Sequence, residues 1–180
     1  AHWIVETEEG GATLIACGST ETVLGEVERS FADALGVACR MLEDPRLLAG
    51  GGATHVALAR RLRRFAESIP GREQLGAEAF ADALEVIPRV LAENAGLDPI
   101  DTLLQLVAAQ VNGGDDSHYL GLDLLNRRPA NMVEQGILEP YLIARQSIAG
   151  ATEAAISILR IDDVLWARQD PTMAEVPEME

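Results

Sequence analysis

This sequence predicts a mainly α-helical fold with a few short β-strands, and three observations carry that expectation. Long segments repeat apolar residues at steps of three and four, and these segments stop at glycine, proline or Asx residues that cap or break helices. The runs that read as extended chain are short and bounded by turn residues. With 180 residues, 48% of them hydrophobic, the chain is the size of an ordinary domain and can build a core.

ATLIACGST, residues 12–20, reads as a buried strand leading into a helix cap at Ser19 or Thr20. In the helix that follows, Val23, Val27, Phe31, Ala34, Leu35, Ala38 and Leu42 share one face. At ~100° per residue Asp33 falls almost opposite them, beside Glu26, Arg29 and Arg40. Pro45 ends this helix, and Gly50, Gly51 and Gly52 precede a second one running through VALARRLRRFAES. Three glycines before a helix N-terminus allow an anion to approach unpaired backbone N–H groups; they serve equally well as a flexible loop.

Residues 68–71 make the next turn, and GREQLGAEAFADALEVI reads as a central buried helix, apolar almost all round. Its charges, Glu78, Asp82, Glu85 and Arg89, form one narrow stripe. Pro88 is expected to kink or restart the helix and Gly96 to stop it. Asp98 and Pro99 then supply an N-cap and a first-turn proline for DPIDTLLQLVAAQ. VNGGDDSHY is a polar loop, and its Asp115–Asp116 pair lacks the spaced third ligand a metal site needs. GLDLLNRRPANM reads as two extended pieces around a turn, and EPYLIARQSIAGATEAAISILR as a last long helix with Pro140 in its first turn. IDDVLWA reads as a terminal strand and residues 169–180, acidic and Pro-containing, as a disordered tail.

Charge narrows the function classes. There are 29 acidic residues against 14 basic ones, a formal charge of -15, which repels phosphate backbones and anionic lipid and makes nucleic acid an unsuitable partner. Every basic residue is an arginine; a salt-screened cytoplasm and a high-GC genome both account for that composition. Cys17 and Cys39 have no CxxC spacing and no histidine pair, so neither a zinc site nor a disulfide framework is indicated, and reduced intracellular thiols are expected. No apolar run approaches the ~20 residues that cross a bilayer, and no signal-peptide pattern opens the chain. A start at Ala in place of Met reads as a processed product or a piece of a longer polypeptide.

The word FADAL occurs twice, at residues 31–35 and 80–84, each time with one carboxylate among apolar neighbours. On the residues alone, Asp33 is a solvated surface carboxylate and Asp82 a stripe residue that pairs with an arginine or caps a loop, because a lone buried charge is costly. GREQLGAEAFADALEVIPRVLAENAGLDPIDTL, followed by GLDLLNRRPANMVEQGILEPYLIARQSIAGATEAAISILRIDDV and preceded by the GGGA loop, resembles the C-terminal third of a group II chaperonin subunit, the family of the archaeal thermosome and its eukaryotic cytosolic relative. The resemblance covers roughly residues 12–167.

That resemblance implies residues 1–43 as the returning part of an intermediate domain and residues 44–168 as the second half of a helical equatorial domain, with residues 169–180 a tail. It implies a cytoplasmic, ATP-driven foldase working in double rings with other subunits on unfolded client proteins. It also implies site residues. Asp33 matches the family aspartate that orients the water attacking the terminal phosphate of ATP. Gly50, Gly51 and Gly52 match the loop lying against the nucleotide, Asp123, Leu124 and Leu125 the segment beside adenine, and Glu139 an acceptor for ribose hydroxyls. Bland readings of these three places are a turn, a hairpin edge and a helix-start carboxylate. Asp82 receives no chemistry. The family's phosphate loop and Mg2+ ligand are expected in an N-terminal half outside this sequence, which has no GxxxxGK[ST] and no lysine to make one. The chain alone is therefore expected to be a poor ATPase, and a naturally short, non-catalytic chaperonin-like binding module is the rival expectation.

Overall fold

A computed structural model describes residues 2–6 and 12–163. The chain divides into two units, Ala1–Ala144 and Arg145–Glu180. The first opens with a hairpin of β1 (His2–Glu6) and β2 (Ala12–Ala16), antiparallel with Trp3 opposite Ile15. Thr20 caps α1 (Glu21–Glu43), its side chain accepting from the Val23 N–H at 3.3 Å, as its place before the apolar run predicts. The predicted burial of this strand does not extend to Thr13, Ile15 and Cys17, which are exposed, because β2 pairs with β1 alone among the described strands and alternates its faces. Nor is any residue of α1 buried; Phe31, Leu35 and Leu42 of its apolar stripe stand in the open.

Asp44 caps the end of α1 and holds Arg46 in a 2.7 Å ion pair, while the Arg46 guanidinium lies 4.0 Å from the centre of the Tyr141 ring. The Tyr141 N–H donates to the Arg46 carbonyl at 3.0 Å, so the bend after α1 is tied to the start of the last helix. Then come β3 (Leu47–Ala49), the three glycines and α2 (Ala53–Ala66). α3 (Glu73–Leu84) and α4 (Val86–Asn94) are separated at Glu85. The restart foreseen around Pro88 thus falls before it, leaving Pro88 in the first turn of α4, where its missing N–H has no partner to lose. Leu97 N–H bonds back to Ala92 O at 2.9 Å around Gly96, which ends α4 as predicted. Asp98 accepts from the N–H groups of Ile100 and Asp101, both at 2.9 Å, and Pro99 opens α5 (Pro99–Asn112).

A 3₁₀ turn (Asp115–Tyr119) leads to the expected hairpin, β4 (Leu120–Asp123) with β5 (Arg128–Asn131). β6 (Leu138–Pro140) pairs with β3, and α6 (Tyr141–Leu159) follows. Pro140 is therefore the last strand residue and not the first of the helix; opposite Leu47 at the end of a two-stranded ladder it costs little pairing. In the second unit the described residues are the remainder of α6 and residues 160–163. Residues 161–163 have no regular structure, and the rest of the expected terminal strand and the expected tail lie outside the described residues. No helix among the described residues is long and apolar enough to cross a membrane.

Two clusters make the core of the first unit. Val56, Ala92, Leu103, Leu106 and Leu122 join α2, α4, α5 and β4, and burying a Val- or Leu-sized side chain stabilises by about 1.5–3 kcal/mol. Ala49, Ala53 and Met132 form the second, beneath the glycine loop. α3 is not the central buried helix its composition predicts: only Ala81 and Leu84 are buried, and Leu75 and Phe80 are exposed. Its charged stripe packs on α2. Arg63 donates to both oxygens of buried Glu85 and, through Nη2, to Asp82 at 2.7 Å. These bonds to Glu85, then to Asp82, raise the guanidinium pKa further. The second FADAL aspartate pairs with an arginine, as expected.

Candidate functional site

The glycine loop closes against two strands at once. Gly50 N–H donates to Ile137 O at 3.0 Å, which prolongs the β3–β6 ladder, and Leu122 N–H of β4 donates to Gly51 O at 2.8 Å. Gly51 and Gly52 have φ of 60° and 76°, left-handed values that strain a residue with a side chain. Space forbids one as well. A Cβ on Gly51 would stand 2.7 Å from Met132 Sδ and 3.1 Å from Leu122 N and O, and one on Gly52 would stand 2.8 Å from Pro88 Cβ. Gly121 completes the fit from β4, since its own Cβ would meet Gly50 O at 2.7 Å. These glycines let the loop lie flat on the hairpin, and Gly52 ends it as the N-cap of α2 without a side chain to bond the first-turn N–H groups. The flexible-loop reading does not describe this segment, which is bonded on both sides.

Asp123 ends β4 and is buried, 5% exposed. Its Oδ1 accepts from Leu125 N at 3.1 Å and Asn126 N at 3.0 Å; its Oδ2 accepts from Asn126 Nδ2 at 2.7 Å and Gln135 Nε2 at 2.8 Å. The Asn126 side-chain bond, then its backbone bond and the Gln135 bond, hold the carboxyl at about 2. Asp123 thus shapes the turn that presents Leu124, half-buried, and Leu125, 95% exposed. Glu139 sits on β6 opposite Leu48, two positions before Gly50. It is partly buried, and burial raises its pKa against the opposing pull of His55.

The loop is thus bonded on one side to the strand that ends at Asp123 and on the other to the strand that carries Glu139. Asp33 lies apart from them in the sequence, on the exposed middle of α1, and no hydrogen bond or ion pair among the described residues engages it. A carboxylate in that state is free to take a water.

Two residues escaped the sequence reading. Gln110, 1% exposed, donates through Nε2 to Ala53 O at 3.0 Å and Leu120 O at 2.9 Å, so it bolts the start of α2 to the start of β4. The available signal was its spacing from Leu103 and Leu106, which puts it on the buried face of α5. His55, in the first turn of α2, is 6% exposed and its Nδ1 has no hydrogen-bond partner among the described residues. No group of three or more His, Cys, Asp or Glu residues that could hold a metal occurs among the described residues.

A helical body with three small ladders and a glycine loop seated on a hairpin defines a recognisable class. The sequence matches the TCP-1/cpn60 chaperonin family over residues 2–169, and the chain belongs to that family. It is 53% identical over 157 residues to a thermosome subunit of Methanocaldococcus jannaschii, an alignment covering 87% of this chain and 29% of that protein. It is 53% identical over 166 residues to a thermosome subunit alpha of Halobacterium salinarum, covering 92% of this chain and again 29% of the relative. Among solved structures it resembles the open-state monomer of a group II chaperonin from Methanococcoides burtonii, with TM-score 0.67 and 37% identity over 89% of this chain and 42% of that one. The chain thus spans less than a third of the length of these curated relatives.

Proposed function

We propose that this chain forms one wall of the nucleotide site of a group II chaperonin subunit, and that the full subunit uses ATP to fold client proteins in a cytoplasmic double ring with other subunits. The observation that carries the reading is the convergence of Gly50, Gly51 and Gly52, the Asp123 turn and Glu139 through the two ladders. A flat glycine backbone admits close approach of a nucleotide, the turn offers exposed Leu125 as an apolar contact, and Glu139 offers carboxylate oxygens to hydroxyl donors.

Asp33 would orient the water whose oxygen bonds to the terminal phosphorus as the bridging P–O bond breaks. Mg2+ would neutralise charge on the phosphates, held by a ligand from the N-terminal half of the full subunit; the described residues contain no group of three or more His, Cys, Asp or Glu that could hold it. The exposed Phe31, Leu35 and Leu42 support a second reading, a chaperonin-like binding module without ATPase activity that docks through apolar surface.

The test is made in a full-length subunit carrying this segment. Asp33→Ala should abolish ATP hydrolysis while ring assembly, seen by sedimentation, is retained, and Glu139→Ala should weaken ATP binding. Normal turnover in the Asp33 variant refutes the catalytic assignment, and the absence of saturable ATP binding by the unsubstituted subunit favours the binding-module reading.

A further inference from the structure

A cleft of about 560 Å³ opens beside α2, walled by that helix, by β3 and by the 3₁₀ turn. None of the candidate nucleotide residues lines it. Its polar lining is cationic: Arg60, Arg61 and Arg64, with Ser117, His118 and Tyr119 facing them. This is unexpected in a chain whose acidic residues outnumber its arginines two to one. Arg63, on the same helix, is held by Glu85 and Asp82. Arg60 has only a 3.5 Å contact with Gln110 Oε1, and Arg61 and Arg64 form no ion pair or hydrogen bond among the described residues. Asp115 and Asp116 share the 3₁₀ turn with His118 but do not line the cleft.

Like charges one helical turn apart, as Arg60 and Arg64 are, repel, and no carboxylate of the lining offsets that repulsion. An anion with several oxygens would. Guanidinium groups are planar forks that grip phosphate oxygens two at a time, and the hydroxyls of Ser117 and Tyr119 add donors. His118 is anchored, its Nδ1 bonding the Asp115 carbonyl at 2.9 Å and its ring tilted against Tyr119 with centroids 3.9 Å apart. The volume is that of a small-molecule site.

We propose that this cleft binds a small molecule bearing two or more phosphate groups, held by Arg60, Arg61 and Arg64. The probe is sodium tripolyphosphate, titrated calorimetrically into the full chain at low salt. Saturable one-to-one binding is expected, at least tenfold weaker in an Arg61→Ala/Arg64→Ala variant and unchanged in Arg72→Ala, which removes an exposed charge outside the cleft. Arg61 and Arg64 are exposed and without partners among the described residues, so the double variant should keep the parent circular-dichroism spectrum and melting temperature. An Arg60→Lys/Arg61→Lys/Arg64→Lys variant, which keeps charge but loses the forks, should also bind more weakly. The proposal is overturned if the parent chain does not bind tripolyphosphate, if the alanine double variant binds it equally well, or if a glutamate-rich peptide binds more tightly through the same arginines, which would give the cleft to an acidic protein segment.

Discussion

Replacing Gly51 by alanine should unsettle the loop on two counts whose sizes can be worked separately. The φ of 60° puts an L-residue in the left-handed region, at a cost of about 1–2 kcal/mol. The new methyl would stand 2.7 Å from the sulfur of Met132, which is fully buried, and 3.1 Å from two backbone atoms of Leu122; overpacking of this kind costs about 1–3 kcal/mol. The sum, about 2–5 kcal/mol, is a large part of the ~5–15 kcal/mol that holds a domain folded. Urea unfolding followed by far-UV circular dichroism measures it as a lowered midpoint at unchanged slope. A double-mutant cycle separates the two terms. Met132→Ala alone should cost about 2–5 kcal/mol as a cavity, but with the sulfur gone the Gly51→Ala penalty should shrink toward its backbone part, so the double variant should be more stable than the two losses predict. Gly51→Ala within ~0.5 kcal/mol of the parent, or strict additivity in the cycle, would refute the account of a loop pressed onto Met132.

Two further outcomes follow from the bonds around the loop. Gln110→Leu keeps volume but removes two donated bonds and strands buried carbonyl surface, and should destabilise by about 2–4 kcal/mol in the same urea assay; Gln110→Glu should be worse, since a carboxylate cannot donate to Ala53 O and Leu120 O, and a Leu variant as stable as the parent would count against the bolt. Asp123 is held at about 2 against an ordinary 3.8, so its contribution is complete above 3.8 and is lost as pH falls from there through about 2. Asp123→Asn should therefore be less stable than the parent near neutrality, with the gap closing toward pH 2, and a gap that does not change with pH would remove the carboxylate bonds from the account.

The sequence made visible what is encoded locally. Thr20, Asp98 and Gly96 act through neighbours within five residues, so their capping roles could be read directly, as could the hairpin around GLDLLNRRPANM. The β3–β6 ladder could not, because LLA and LEP are too short for any periodicity and meet across some ninety residues of chain. That ladder is what carries Glu139 to the loop and removes Pro140 from the helix. Burial was the other failure. Apolar composition identifies surface that wants covering and says nothing about what covers it, so the stripe on α1 was legible as amphipathic and α3 as apolar almost all round while their exposure in this chain was not. At the candidate site the glycines were visible as glycines, but the seat of Gly51 against Met132 spans 81 positions and the bond of Gln110 to Ala53 spans 57.

The two anchors of the loop act on different ladders. Gly50 N–H is fastened to Ile137 and Gly51 O to Leu122, so the segment works as a rivet through two plates. A displacement of one peptide at this point moves the β3–β6 ladder, which leads through Tyr141 to the bend after α1, together with the β4–β5 hairpin and its Asp123 turn. Mechanical input at the glycines is distributed to both without passing through a single flexible side chain, and amide exchange at Leu122 is where its release would first register.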